Sequence, residues 1–121
     1  MPAPANRRTL PLRKIDQSVT VSWLPQHTAR GGSIVSLNVI NLAGAAIFVK
    51  FYDVSEVAGV VVGTTAVAKT IFVAANLDKT LLLLGNSFDF INGIAMRVCT
   101  GGADADNTAS ATLPIIELET I

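Results

Sequence analysis

The stretch from residue 33 to residue 52, SIVSLNVINLAGAAIFVKFY, constrains the fold of this chain more than any other. Val35, Leu37 and Val39 alternate with Ser36 and Asn38; beyond NLAG, Ile47, Val49 and Phe51 alternate with Phe48, Lys50 and Tyr52. A period of two marks a strand with one face on a core, because successive side chains point to opposite sides of a sheet. Strand, tight connection and strand together predict an antiparallel hairpin.

The same signature recurs along the chain. SVTVSW, 18 to 23, places Val19, Val21 and Trp23 on one face, and VAKTIFV, 67 to 73, reads as a strand with two fairly apolar faces. KTLLLL, 79 to 84, follows a turn at Asn76 and Asp78; IAMRVC, 94 to 99, follows a bend at Asn92 and Gly93; LPIIELE closes the chain. A helix over 67 to 84 competes, since alanine and leucine favour it, but Asn76, Asp78 and the β-branched residues before them favour strands. Residues 54 to 66 are apolar, glycine-punctuated and weakly periodic, which predicts a covered loop. About eight short strands without a convincing helix predict an all-β fold: an antiparallel β-sandwich, jelly-roll-like.

A single domain of 121 residues can bury a real core. Half the residues are hydrophobic, only 15% are charged, and mean hydropathy is +0.52, so some apolar surface is expected to meet partners. Formal net charge is zero, but it is unevenly placed. Through residue 32 five cations, Arg7, Arg8, Arg13, Lys14 and Arg30, face one acid, Asp16, for a net of +4; the rest holds four cations and eight acids, a net of −4. Pro2, Pro4 and Pro11 bias the start toward extended backbone. The expected organisation is therefore an extended basic N-terminal arm with a first strand and a glycine hinge, 1 to 32, on a sandwich body, 33 to 121. Such an arm suits a complementary acidic surface, whether a protein lattice or a neighbouring copy. No run approaches the roughly 18 apolar residues of a membrane helix, and no apolar segment follows the basic start, so synthesis in the cytoplasm is expected.

Candidate chemistry is sparse. Asp104 and Asp106 in TGGADADNTASAT lack the further oxygen ligands a calcium loop requires, and adjacent solvated carboxylates have no reason to hold different protonation states. They are expected to shape an exposed turn. His27, the one histidine, has no serine in a nucleophile turn, and ARGGS, 29 to 33, lacks the lysine of a phosphate loop. Cys99 can form no intrachain disulfide and reads as a small packed hydrophobe. Neither a catalytic group nor a cofactor or metal site is expected. Trp23 and Tyr52 are candidate interface anchors, with core burial the equal alternative for Trp23. The basic cluster lacks the interleaved aromatics and the groove-entering helix that nucleic-acid binding favours.

The stretches Lys50 to Asp53, Val62 to Thr65, Phe90 to Ala95 and Thr100 to Ala109 resemble a small β-sandwich pattern of tailed-bacteriophage virion proteins: a K-aromatic-Y-D strand end, a V-G-T-T turn, an F-x-x-G-I-A strand and a T-G-G-A-D-x-D-N-T-A loop. The likeness covers roughly the last two thirds of the chain. It implies a non-enzymatic structural protein on the capsid exterior, similar to the decoration or cement class. Members of that class bind the major capsid protein, commonly as homotrimers with reaching terminal arms. The basic arm lies outside the likeness; from composition, attachment through Arg7, Arg8, Arg13, Lys14 and Arg30 is expected, with self-association through the apolar surface of 54 to 66 or the leucines 81 to 84. A receptor- or carbohydrate-binding module of the tail, fibre or neck is the alternative.

Overall fold

The computed structural model describes residues 8–10, 22–23, 31–55, 60–83, 87–108, 110, 112 and 114–120. Nine strands follow one another: β1 (Arg8–Leu10), β2 (Ser22–Trp23), β3 (Gly32–Ile40), β4 (Ile47–Tyr52), β5 (Lys69–Val73), β6 (Asp78–Leu82), β7 (Phe88–Phe90), β8 (Ala95–Cys99) and β9 (Ile115–Thr120). There is no helix among the described residues. One sheet has the order β1-β9-β3-β6, with β7 also on β3; the other has the order β2-β8-β4-β5. Every pairing is antiparallel. The two sheets share one core, the arrangement of a β-sandwich.

That core is built from alternate residues, as the sequence periodicity requires. Ile47, Val49 and Phe51 of β4 meet Ile71 and Val73 of β5, Met96 and Val98 of β8, and Ile116 and Leu118 of β9. Each such side chain taken fully from water contributes roughly 1.5–3 kcal/mol before the entropy of ordering it is counted. On β3 the phase slips. Ile34, Leu37 and Val39 are buried while Val35 is only half-buried. Ile34 pairs with Thr120 and Ser36 with Glu119, so two residues of β3 oppose one of β9. This bulge makes Val35 the extra residue and turns it from the inward row that simple alternation gives it.

The expected β3–β4 hairpin does not form. The strands lie in different sheets, and residues 41–46 carry the chain across the sandwich. The alternation is equally compatible with either outcome; the corner chemistry decides. Buried Asn41 donates through Nδ2 to the carbonyls of Ala45 at 2.9 Å, Ala74 at 3.0 Å and Val73 at 3.4 Å, while its Oδ1 accepts from the Ala43 amide at 2.9 Å. The β5–β6 connection crosses back beside it: the Asn41 amide donates to the Leu77 carbonyl at 2.9 Å, and the Asn76 amide to that of Ala43 at 3.0 Å. Two stacked arches replace one hairpin. The open side beyond β5 and β6 carries lysines, which blunt exposed sheet edges. Lys69 lies over the Phe88 ring at 5.3 Å, and Lys79 donates to the Phe72 carbonyl at 2.8 Å.

One further expectation is corrected. The Phe90–Ala95 strand is divided: β7 ends at Phe90, 91–94 turn, and β8 begins at Ala95. Asp53 holds that turn by accepting from the amides of Ile91, Asn92 and Gly93 at 3.0, 2.7 and 3.3 Å. Gly31 lies in close approach to the backbone of the β7–β8 turn. Gly32 starts β3 opposite Phe90, and a Cβ on Gly31 would strike the carbonyl oxygen of Phe90 and come within 2.7 Å of that of Ile91. Both obstacles are backbone, so Gly31→Ala is expected to cost about 2 kcal/mol, in the usual range for overpacking. Urea denaturation of the two proteins measures this. Of the 1–32 segment, Arg8–Leu10 pairs with β9 and Ser22–Trp23 with β8; residues 1–7, 11–21 and 24–30 lie outside the described residues.

Candidate functional site

The outer face of a sandwich sheet is ordinarily polar and wet. On β4 the outward row is Phe48, Lys50 and Tyr52; across from it on β8 stand Cys99, Arg97 and Ala95, in that register. Lys50, Tyr52 and Cys99 are fully buried, and Arg97 is 5% exposed. What covers them is the polar loop after β8. Lys50 Nζ donates to the carbonyls of Ala103 at 2.6 Å and Asp106 at 2.8 Å, and Arg97 Nη2 to that of Asn107 at 2.8 Å. Gly102 lies against the Phe48 ring, where a Cβ would sit 2.6 Å from Cε1.

The loop is also closed on itself, into a strap. The Thr100 amide donates to the Thr108 carbonyl at 3.0 Å, and the Asp106 amide to that of Ala103 at 2.9 Å. Asp106 Oδ1 accepts from the Thr108 amide at 2.9 Å, the turn-shaping role expected of it. Asp104 is exposed on the strap. The turn at 61–65 abuts the strap at Ala105 and Asn107. Among the described residues no group of three or more His, Cys, Asp and Glu side chains is placed to hold a metal ion.

The sequence-derived candidates are dispersed. Arg8 lies in β1 opposite Thr120, and Trp23 in β2 opposite Ala95. Arg7, Arg13, Lys14 and Arg30 lie outside the described residues. Tyr52, expected as an interface anchor, instead has no exposed surface in the chain. Its hydroxyl and Arg97 Nε are buried without a hydrogen-bond partner. Burial pushes the Tyr52 phenol above its ordinary value; Cys99 adds to the rise, Arg97 opposes it and Asp104 adds again. Sequence reasoning passed over Lys50 and Arg97. The signal was there: a lysine on a strand face whose flanking positions, 48 and 52, are both aromatic.

Two surfaces remain open. On the β9-β3-β6 face, Ser36 and Asn38 floor a shallow trough of about 190 Å³ between Glu117 and Glu119 on one side and Thr80 and Leu82 on the other. Asn38 and Thr80 are hydrogen-bonded across it at 2.9 Å. At the arch end, 41–46 and 74–77 contain no charged residue, and Leu42 and Leu77 are exposed. Of the leucine run, Leu81 and Leu83 pack on the core while Leu82 stands 69% exposed.

At the rim of the sandwich, Asp89 accepts from the hydroxyls of Ser33 at 2.7 Å and Ser87 at 2.6 Å. The Ser87 bond and then the Ser33 bond hold its carboxyl below the ordinary aspartate value. A depressed folded-state value means that the group contributes stability above its unfolded value, which is lost as pH falls through the folded one. Ser87→Ala is expected to move the Asp89 titration upward toward the ordinary value, read by NMR titration of its side-chain carboxyl carbon.

Comparison of the chain with protein-family models, with curated proteins and with solved structures gives no match.

Proposed function

We propose that this chain is a non-enzymatic structural protein of a tailed-phage virion, of the decoration or cement class, and that its body is a jelly roll. The observation that carries the reading is the nesting of the strand pairs. β4 pairs with β5, β3 with β6, β2 with β8 and β1 with β9, each pair enclosing the one before, with β7 as a three-residue addition on β3. One long hairpin wrapped into two sheets is the eight-strand, double Greek-key order found in viral capsid and lectin domains. Fold alone does not select a function; the sequence likeness to virion proteins and the divided charge favour the capsid over the lectin.

In this role the basic segment 1–32 fastens the chain to the major capsid protein, and the body self-associates, as a homotrimer, on its exterior. Binding the assembled shell in preference to free subunits stabilises the shell by mass action, and many copies multiply a modest contact. The uncharged arch tip, with Leu42 and Leu77, is suited to a protein surface. The trough on the β9-β3-β6 sheet, with Asn38, Thr80, Glu117 and Glu119 among its lining residues, favours the carbohydrate-binding alternative.

Co-sedimentation of the full chain with purified heads of the phage that encodes it tests the reading. Saturable binding that falls at high salt, and that falls again in the charge-reversed variant Arg7→Glu/Arg13→Glu/Lys14→Glu, is expected. No binding to heads, with saturable binding to a glycan on an array, would replace the proposal by its rival.

A further inference from the structure

We propose that Lys50, Arg97 and Tyr52 form, beneath the strap, a binding site for one small monovalent anion of the size of chloride. This rests on the interior of the chain alone and is independent of any role in a virion. Lys50 and Arg97 stand directly opposite one another on adjacent strands, one fully buried and the other nearly so. Like charges so placed repel, and taking each from water carries a penalty that a counter-charge normally offsets.

What meets them is main-chain carbonyl oxygen: Ala103 and Asp106 for Lys50, Asn107 for Arg97. These are dipoles that leave the pair's double positive charge uncancelled. Of the strap's own carboxylates, Asp106 accepts from the Thr108 amide, and Asp104 stands exposed, its charge felt by the Tyr52 phenol.

Independently, two buried polar atoms on the same patch have no partner, Arg97 Nε and Tyr52 Oη. Tyr52 pairs with Ala95, so Arg97, two residues along β8, is its diagonal neighbour on the same face, within reach of long side chains. The phenol feels the Arg97 charge. Both atoms can donate a hydrogen bond, and one belongs to a cation. Buried donors left unmatched are rare and costly. Two donors beside two cations call for an acceptor with negative charge. With Tyr52 fully covered and Arg97 at 5% exposure, the anion has to be small, since phosphate or sulfate would require the closed strap to lift.

The test uses the full chain. In crystals grown with bromide, an anomalous peak is expected within hydrogen-bonding distance of both Tyr52 Oη and Arg97 Nε. In solution, raising chloride from 1 to 100 mM at constant ionic strength is expected to raise Tm by about 5 °C, the scale of a ligand carried from about a tenth of its Kd to about ten times it. Tyr52→Phe keeps the ring and the fold and removes one donor, and is expected to lose most of that chloride-dependent rise. A water without anomalous signal at the position, the Asp104 carboxylate occupying it, or a Tm indifferent to chloride would each overturn the proposal. So would a full chloride effect in Tyr52→Phe.

Discussion

Asn41→Ala is expected to lower stability by about 3 kcal/mol, the largest loss of any single polar substitution in the described structure. The Asn41 amide is a corner bracket. Its nitrogen reaches the carbonyls of Ala45, Ala74 and Val73, and its oxygen the Ala43 amide, so one side chain ties the β3–β4 arch to the end of β5. Alanine supplies neither donor nor acceptor. Several main-chain groups in a buried corner then lose their partner, at roughly 1 kcal/mol or more each. Asn41→Asp separates the two halves of the role: it keeps the acceptor for Ala43 and loses the donors, turning an oxygen toward carbonyls, and is expected to cost as much as alanine or more. Urea unfolding midpoints measure both. A loss under about 1 kcal/mol in Asn41→Ala would mean that the arches are held by apolar packing alone.

Lys50→Met is expected to open the strap. Methionine matches the stem of lysine and packs in its place, but leaves the carbonyls of Ala103 and Asp106 without their donor. Hydrogen bonds to a charged group contribute about 1.5–3 kcal/mol each; relief of the repulsion with Arg97 and of the cost of burying an ammonium offset part of that. A net loss of about 2 kcal/mol is the expectation. The sharper readout is local. The amides of Thr100, Asp106 and Thr108, bonded only within the strap, are expected to exchange with solvent on the order of 30-fold faster, as about 2 kcal/mol off a local opening free energy implies, while amides of β3 and β9 change only with global stability. Lys79→Met, which removes a half-buried lysine from one solvent-exposed hydrogen bond to a carbonyl, is the matched control and is expected to change stability by less than about 0.5 kcal/mol.

These two residues show where sequence periodicity is informative and where it is silent. The inward row Ile47, Val49 and Phe51 was legible because β4 is regular and its neighbours bury that face completely. Val35 was misplaced because a bulge inserts one residue and inverts the phase; the apolar Ile34, Val35 pair offers no pattern that says which of the two is extra. NLAGAA carries the composition of a turn whether the chain doubles back in one sheet or crosses to the other. The distinction lies in what Asn41 can reach, and its partners at residues 73 and 74 are remote in sequence.

The candidate site was half legible. TGGADADNTAS announced a shaped polar loop, and Asp106 shapes it. That the loop lies down on a sheet depends on Lys50 and Arg97 becoming cross-strand neighbours, which follows from register and not from local composition. Tyr52 was read as an anchor from residue type alone. Its place on the strap-covered row converts the same phenol into a buried group. As the only tyrosine in the chain, it gives a clean titration at alkaline pH. Its raised value places its stabilising contribution below the ordinary phenol value, lost as pH rises through the folded one.

The measurement that bears most directly on the proposed role is the copy number of this chain in purified particles of the phage that encodes it, by quantitative mass spectrometry against the major capsid protein. One copy per capsid subunit, or a simple fraction of that, is the predicted result. A handful of copies per particle would move the chain to the neck, tail or fibre, and its absence from particles would contradict the structural role.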